Sequence, residues 1–226
     1  MDICISKQYG FRYNLGYLEV ELVKEYVILV DENDNSVGIA EKIDAHKNPK
    51  LHRAFSIFIF NSKGKLLIQQ RAENKYHCPG MWANTCCSHP RPGESLEKAA
   101  HRRLQEEMGF DTEMVKSFAF IYKAQFDNGL TEEEYDHIFV GKWDGTPKIN
   151  LTEVADYKWI SEDILREDIK KNPAIYTPWF KIALGKLLDK NIKGQFVDKW
   201  QFDVQVDEIL DSVLPPVKPQ LIESMG

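Results

Sequence analysis

The stretch that decides the fold is GESLEKAAHRRLQEEMGF, residues 93–110. Its apolar side chains recur at helical spacing and predict an amphipathic helix over residues 94–108. Gly109 follows, where many helices end on a glycine in the left-handed conformation. Arg103 and Glu107 are four residues apart, so they share one face of this helix, at the edge of its inward side. Taken alone, this pair is typical of a surface ion pair that stabilises a helix by roughly a few tenths of a kcal/mol.

Short apolar runs on both sides of this helix predict β-strands. Some of these runs are separated by turn residues, as in β-hairpins. The predicted strands are residues 26–30, 36–40, 54–60, 65–70, 118–126, 134–143 and 156–160. Strands interleaved with few helices favour an α+β fold, in which a mixed sheet is covered by helices, over a doubly wound parallel sheet.

The other segments predict loops and two further helices. Residues 41–52 predict a polar loop. Residues 71–93, which carry several prolines and glycines, predict mostly loop, interrupted by the stretch MWANTCC. Ser161 opens a short acidic helix. An amphipathic helix is predicted over residues 177–190, with Thr177 as its N-cap.

The size and composition predict a single catalytic domain. The chain has 226 residues, of which 43% are hydrophobic, which is enough for one well-buried core. We expect an N-terminal extension at residues 1–25, the catalytic domain at 26–204 and a C-terminal tail at 205–226. No apolar run approaches the roughly 20 residues that span a bilayer, and the N-terminus does not resemble a secretory signal. No membrane partner is therefore expected.

Charge and cysteine usage narrow the function further. A formal charge of −6 disfavours non-specific binding of nucleic acid. An anionic ligand must then be met by clustered cations or by metal ions. The cysteines include an adjacent pair, which suits a disulfide framework poorly, so we expect a reducing, cytoplasmic location. The choice between monomer and homodimer stays open.

The segment NTCCSHP, residues 84–90, is a candidate reactive site. A cluster of this kind is explained by a zinc site, by a reactive thiol beside an imidazole, or by plain loop packing. A closed zinc finger is disfavoured, because the cysteines are adjacent and only Cys78 is nearby. Cys87 and His89 are separated by one residue and can point the same way in an extended segment.

Histidines and glutamates elsewhere suggest a metal site. His46 and His52 flank a polar loop, while Glu132 and Glu134 can share one face of a strand. Imidazoles together with carboxylates favour a divalent ion such as Mn²⁺, Zn²⁺ or Mg²⁺. From composition alone, a solvated acidic hairpin tip is the favoured interpretation of the glutamates.

Residues 93–110 resemble the Nudix box, a loop–helix–loop that in that superfamily binds a divalent metal beside a diphosphate. Glu106, Glu107 and Gly109 match the end of the box. Ser88 stands where the box normally begins with glycine, and Arg103 stands where it normally has a glutamate. The missing carboxylate argues against the usual Nudix hydrolysis.

A longer series of motifs resembles the type 1 isopentenyl diphosphate isomerases, over roughly residues 26–200. They are KIDAHKNPKLHRAFS, LLIQQRAENKYHCPGMW, NTCCSHPRPGES, RRLQEEMG, YKAQF, EEEYDHIF and TPWFK. The resemblance implies a Nudix-like mixed sheet sandwiched between helices. It also implies the interconversion of isopentenyl and dimethylallyl diphosphate, a small-molecule diphosphate substrate and two divalent cations.

The resemblance assigns roles to particular residues. The site for Mn²⁺, Mg²⁺ or Zn²⁺ would comprise His46, His52, His89, Glu132 and Glu134. A second site, for the Mg²⁺ that arrives with the diphosphate, would use Glu107 and the backbone carbonyl of Cys87. The diphosphate would be held by Lys42, Arg71, Lys75 and Arg103, and the hydrocarbon end would lie against Trp179. His77, Cys78, Cys86 and His101 receive no role.

The implied reaction moves a double bond through a tertiary carbocation, so it needs an acid, a base and a pocket without water. The resemblance implies that Cys87 and Glu134 are the acid and the base, with Tyr122 assisting Glu134. We favour Glu134 with Tyr122 as the donor, although the sequence leaves the direction open. A Nudix pyrophosphohydrolase and a non-catalytic metal- or diphosphate-binding module are the alternatives.

Overall fold

The computed structural model describes residues 24–188, which form nine strands, four α-helices and one 3₁₀ turn. The strands are β1 (Tyr26–Val30), β2 (Ser36–Glu41), β3 (His52–Phe60), β4 (Leu66–Arg71), β5 (Trp82–Ala83), β6 (Cys86–Ser88), β7 (Met114–Gln125), β8 (Thr131–Lys142) and β9 (Val154–Ile160). The helices are α1 (Lys42–Lys47), α2 (Leu96–Met108), α3 (Glu162–Lys171) and α4 (Pro178–Leu188), and Pro173–Ile175 form the 3₁₀ turn.

Strand β3 is the centre of a mixed sheet. Along one edge it pairs in parallel with β8 through nine residue pairs, from His52 with Glu134 to Phe60 with Lys142. It also pairs antiparallel with β1, β4 and β6. Strand β7 lies antiparallel to β8, and β9 lies antiparallel to β4. Strands that are distant in sequence, such as β1 and β8, therefore meet at β3.

The two faces of the sheet carry different apolar clusters. Alternate residues of a strand point to opposite faces, so Phe55 and Ile57 of β3 pack against α2, whereas Phe58 packs against α4. The adjacent cysteines obey the same rule, since Cys86 lies on the α2 face and Cys87 packs on the α4 face. Helices cover both faces, which confirms the α+β architecture predicted from the sequence.

Helix α2 is defined by its two ends. The Ser95 hydroxyl accepts a hydrogen bond from the Lys98 amide at 3.3 Å, so the helix starts two residues later than predicted. Gly109 ends it with φ of 73°, and its amide donates to the carbonyl of Gln105. A Cβ at Gly109 would lie 2.2 Å from the carbonyl oxygen of Lys148. This position therefore requires glycine both for its backbone conformation and for the close approach.

The structure corrects two local predictions. Residues 41–52 are not only loop, because α1 forms there with the Glu41 carboxylate accepting hydrogen bonds from the amides of Ile43 and Asp44. A six-residue helix is too short to show a periodic apolar pattern. Helix α4 begins directly after Thr177 as predicted, but the Thr177 hydroxyl is buried without a hydrogen-bond partner in the described region, so it does not act as a side-chain cap.

Other predicted boundaries differ by a few residues. Strand β7 begins four residues before the predicted start at 118, and β8 begins three residues before 134. The proposed extension at residues 1–25 and the tail at 205–226 lie almost entirely outside the described residues, so these domain limits stay predictions. Across residues 24–188, every helix is too short or too polar to traverse a lipid bilayer.

Candidate active site

Three histidines and a glutamate from four parts of the chain converge at one end of β3. One ligand atom from each of His46, His52, His89 and Glu134 lies within 4.8 Å of all the others. His46 comes from α1, His52 from the first position of β3, and His89 from the segment after β6. Glu134 lies directly opposite His52 in the β3–β8 ladder. Strand register therefore brings together residues that are far apart in sequence.

The backbone orients two of these imidazoles. His46 Nδ1 lies 2.6 Å from the carbonyl oxygen of Lys42, and His52 Nδ1 lies 2.7 Å from that of Lys50. A carbonyl only accepts, so each Nδ1 carries the proton and each Nε2 keeps its lone pair. Both Nε2 atoms are buried without a hydrogen-bond partner in the described region. Metal-binding histidines typically show this arrangement, and the donor set fits a divalent cation.

Burial and charge shift the pKa values of these groups, and for His46, His89 and Glu134 the shift favours the form that binds metal. Burial lowers the pKa of His46 below its ordinary value and that of His89 to about 3, so both rings are neutral at pH 7. Burial alone would raise the pKa of Glu134, but hydrogen bonding to His52 and His89 holds it well below its ordinary value. Burial likewise opposes, but does not prevent, a rise in the pKa of His52 caused by Glu134. Neutral imidazoles and an ionised carboxylate are the forms that coordinate cations.

A tyrosine joins the two glutamates of β8. Tyr122 lies opposite Glu134 in the β7–β8 ladder, and its hydroxyl oxygen is 2.6 Å from Glu134 Oε2 and 2.9 Å from Glu132 Oε2. Burial raises the pKa of Tyr122 well above its ordinary value, so the hydroxyl stays protonated. Glu132 is only 3% exposed. A solvated hairpin tip, the interpretation favoured by composition, is therefore wrong for Glu132 and Glu134.

The Cys87 thiol lies on the same face of the sheet as Tyr122 and Glu134. It packs against the apolar cluster that contains Tyr122 and Trp179, whereas Cys86 is buried on the other face. Burial raises the pKa of the Cys87 thiol, partly opposed by the positive charge of Arg71 and supported by the charges of Glu132 and Glu134. The Cys87 side chain and Tyr122, whose hydroxyl contacts Glu134, therefore adjoin the same apolar cluster.

Two of the four predicted phosphate-binding cations, Arg103 and Lys75, belong to a separate charged group. Arg103 pairs with Glu107 and lies 2.9 Å from Glu153, which also pairs with Lys75. Gln69 donates a 2.9 Å hydrogen bond to the other oxygen of Glu107. The charges of Arg103 and Lys75 overcome burial and lower the pKa of Glu153 to about 2. Sequence reasoning missed Glu153, because nothing in its loop segment distinguishes it from an exposed glutamate.

The other two predicted cations are held differently. The buried Arg71 side chain donates to the carbonyl oxygens of Cys78 at 3.2 Å and His77 at 3.1 Å, and its guanidinium lies 5.2 Å from the centre of a Trp179 ring. Lys42 forms a 2.9 Å ion pair with Glu25. Trp179 of α4 is buried in the apolar core, and its ring also lies beside Arg71, a predicted substrate-binding residue.

One histidine that the sequence did not single out belongs to the site. Nε2 of His77 lies 3.0 Å from Oε1 of Glu132, and both side chains are buried. His77 follows strand β4 in a segment without periodic structure, so no sequence pattern indicated its direction. His101, which was also left without a role, pairs with Asp111 at the surface.

Comparisons with known proteins agree with this geometry. Residues 50–180 match the NUDIX domain family. "Isopentenyl-diphosphate Delta-isomerase 2" of Photorhabdus laumondii is 52% identical over 177 residues, which cover 78% of this chain and 97% of that protein. The protein of the same name from Aromatoleum aromaticum is 49% identical over 166 residues, which cover 74% of this chain and 88% of that protein.

A solved structure supports the fold independently. DR0079 from Deinococcus radiodurans matches 71% of this chain and 98% of its own with a TM-score of 0.57, although only 22% of the residues are identical. Likeness at this identity concerns the fold. The family follows from the matched domain and from the curated relatives, whose whole length this chain nearly covers. The chain therefore belongs to the NUDIX domain family and, within it, to the isopentenyl-diphosphate Delta-isomerases.

Proposed function

We propose that this chain interconverts isopentenyl diphosphate and dimethylallyl diphosphate by adding a proton at one end of the allylic unit and removing one at the other. The observation that supports the proposal is that Cys87 packs against the apolar cluster that contains Tyr122, whose hydroxyl donates to Glu134. A thiol and a carboxylate on one apolar face provide two proton-transfer groups around a hydrocarbon.

The protonation states of Tyr122 and Glu134 suit them to act as one member of an acid–base pair. The Tyr122 hydroxyl holds a proton between two carboxylates, and Glu134 can pass or receive it over 2.6 Å. Cys87 is the group proposed for the second proton; burial raises the pKa of its thiol, and the nearby Arg71 charge partly opposes this rise. We assign the donation to Glu134 with Tyr122 and the abstraction to Cys87, and the reverse reaction exchanges these roles.

Apolar packing protects the cationic intermediate. Water would trap a tertiary carbocation, so the pocket must exclude it. The pocket wall includes Trp179 and Tyr122, which belong to the buried cluster under α4. An indole face stabilises a desolvated cation by about 2 kcal/mol or more. Trp179 is therefore proposed to shield and stabilise the hydrocarbon end.

Two cation positions complete the proposal. His46, His52, His89, Glu132 and Glu134 would hold a Mn²⁺, Zn²⁺ or Mg²⁺ ion, and Glu107 with the carbonyl of Cys87 would hold Mg²⁺ beside the diphosphate. Bound there, the ions would supply Lewis acidity beside Glu134 and neutralise the diphosphate charge. Lys42, Arg71, Lys75 and Arg103 would orient the diphosphate by charge-assisted hydrogen bonds. We include a cytoplasmic location in this proposal, because Cys78, Cys86 and Cys87 are all free thiols.

The test uses the purified full chain with isopentenyl diphosphate and Mg²⁺ in D₂O, followed by NMR. We expect dimethylallyl diphosphate to form and deuterium to enter the allylic unit. Cys87→Ala and Glu134→Gln should each lose about a hundredfold to ten-thousandfold in turnover, the range of a lost acid–base group. Cys86→Ala is the matched control, because Cys86 faces the opposite side of the sheet.

The same assay separates the alternatives. Release of phosphate without dimethylallyl diphosphate would favour a pyrophosphohydrolase, which Arg103 at a glutamate position of the Nudix box disfavours. A folded Cys87→Ala variant with undiminished turnover would exclude the proposed proton-transfer role of this thiol.

A further inference from the structure

His77 reaches the metal site from a direction that the predicted ligand set does not include. One ligand atom from each of His46, His77 and Glu132 lies within 4.8 Å of the other two, and all three side chains are buried. The His77 ring lies nearly parallel to that of His46, with their centres 6.0 Å apart. His77 thus contacts two of the residues assigned to the cation.

Aromatic neighbours fix the orientation of the His77 ring. It stacks on Phe126 at 5.2 Å and meets the edges of Tyr76 at 4.3 Å and Trp179 at 5.6 Å. Its Nδ1 is buried without a hydrogen-bond partner in the described region. The ring packing directs the other nitrogen, Nε2, at Glu132, whose Oε1 lies 3.0 Å away. Nε2 therefore points at a carboxylate that is itself assigned to the cation.

The two groups of ligands share one imidazole nitrogen. His46 uses Nδ1 to donate to the Lys42 carbonyl, so only its Nε2 is available to a cation. His46 belongs both to the group with His52 and His89 and to the group with His77. A single lone pair does not serve two cations, so the groups describe one centre rather than two separate sites.

We propose that His77 is a further ligand of this cation. The centre then draws on four imidazoles, from His46, His52, His77 and His89, and on the carboxylates of Glu132 and Glu134. A set rich in imidazole favours ions such as Zn²⁺ or Fe²⁺ over Mg²⁺. This inference rests on the cation site described under the proposed function, but it does not depend on the isomerisation itself.

The ligand count is measured without substrate. The full chain is loaded with Co²⁺, and hyperfine-shifted imidazole N–H protons are counted by ¹H NMR. We expect four such signals in the unmodified chain and three in His77→Phe, which keeps the aromatic stacking but removes both nitrogens. His101→Ala is the control, because His101 pairs with Asp111 away from the site.

Affinity gives a second, independent readout. Competition with a chelator should show Zn²⁺ binding at least about tenfold weaker in His77→Phe, since even outer-shell partners of a metal ligand are worth roughly 10–100-fold. His77→Gln restores a side-chain oxygen with a lone pair for the cation, so it should recover part of the lost Zn²⁺ affinity. His101→Ala should bind Zn²⁺ as tightly as the unmodified chain.

Three imidazole signals in the unmodified chain would overturn the inference, even if His77→Phe failed to fold. Unchanged Zn²⁺ affinity in a folded His77→Phe variant would overturn it too. Failure of the proposed function is recognised separately. If the chain binds Co²⁺ through four imidazoles but does not isomerise isopentenyl diphosphate, His77 remains a ligand and the proposed isomerase function is wrong.

Discussion

At the scale of single residues, Glu153 determines how the cationic side of the site is arranged. Its carboxylate pairs with both Arg103 and Lys75 and is 1% exposed. Replacement by Gln would leave two cations facing each other with one negative partner fewer. Removing one member of a buried ion pair typically costs about 3–5 kcal/mol. Arg103 retains Glu106 and Glu107 as partners, so the expected loss lies at the lower end.

We therefore predict that Glu153→Gln lowers the free energy of unfolding by about 3 kcal/mol in urea titrations. Glu106→Gln serves as the control, because the Glu106 side chain is 35% exposed and such pairs contribute at most about 1 kcal/mol. Glu153→Gln should also raise KM for the diphosphate more than it lowers kcat, since Lys75 and Arg103 lose their common anchor. Equal stability of the two variants would contradict this account.

The contribution of Glu153 to the free energy of unfolding depends on pH in a defined direction. The pKa of Glu153 falls from 4.5 to about 2 in the folded chain, so its ionised form is stabilised by folding. The contribution is fully present above pH 4.5 and is lost as the pH falls towards 2. Urea titrations across this range should show the stability gap between the unmodified chain and Glu153→Gln closing as the pH falls. A gap that widened at low pH would refute the sign.

At the scale of elements, the end of helix α2 sets the position of the Glu107 carboxylate. Gly109 combines φ of 73° with a distance of 2.2 Å from its virtual Cβ to the Lys148 carbonyl oxygen. Gly64, in the β3–β4 turn, has φ of 71° but nothing within 4 Å of that position. The two glycines share a left-handed backbone conformation but differ in the steric contact that a Cβ would make.

Alanine at each position separates these effects. We predict that Gly64→Ala costs about 1–2 kcal/mol, the strain of the left-handed conformation, and that Gly109→Ala costs at least about 2 kcal/mol more. Thermal unfolding of both variants measures the difference. Gly109→Ala should also weaken Mg²⁺-dependent turnover, because α2 would shift with Glu107. Identical melting temperatures would show that the Lys148 backbone yields without cost.

Whether a site residue could be predicted from the sequence depends on the kind of element that carries it. Residues on regular elements, such as Glu132 and Glu134 on β8, could be placed on one face by their spacing alone, and the structure brings them together with His52 through the β3–β8 register. Their burial could not be predicted, because it depends on β7 and α4 covering that face. His77 and Glu153 lie in irregular segments, whose directions are set by tertiary packing rather than by any period. The short helix α1 was missed for a related reason, since its capping carboxylate, Glu41, belongs to a strand.

At the scale of the whole molecule, the cation site joins segments that are distant in sequence. His46 precedes the sheet centre, and Glu134 lies 88 positions further along the chain, yet the parallel pairing of β3 with β8 places them together. The unfolded chain does not hold this arrangement. A divalent cation should therefore bind the folded state preferentially and stabilise it by mass action.

We accordingly predict that Zn²⁺ or Mn²⁺ raises the melting temperature of the unmodified chain and that a chelator reverses the rise. At a free concentration about 100 times the dissociation constant, the gain is about 2.7 kcal/mol. His52→Ala should abolish the rise, because His52 lies in the ladder position opposite Glu134 and its Nε2 has no other partner in the described region. His101→Ala should retain it. If the melting temperature still rose in His52→Ala, the stabilising cation would bind elsewhere. The β3–β8 register would then bring His52 and Glu134 together without forming the cation site.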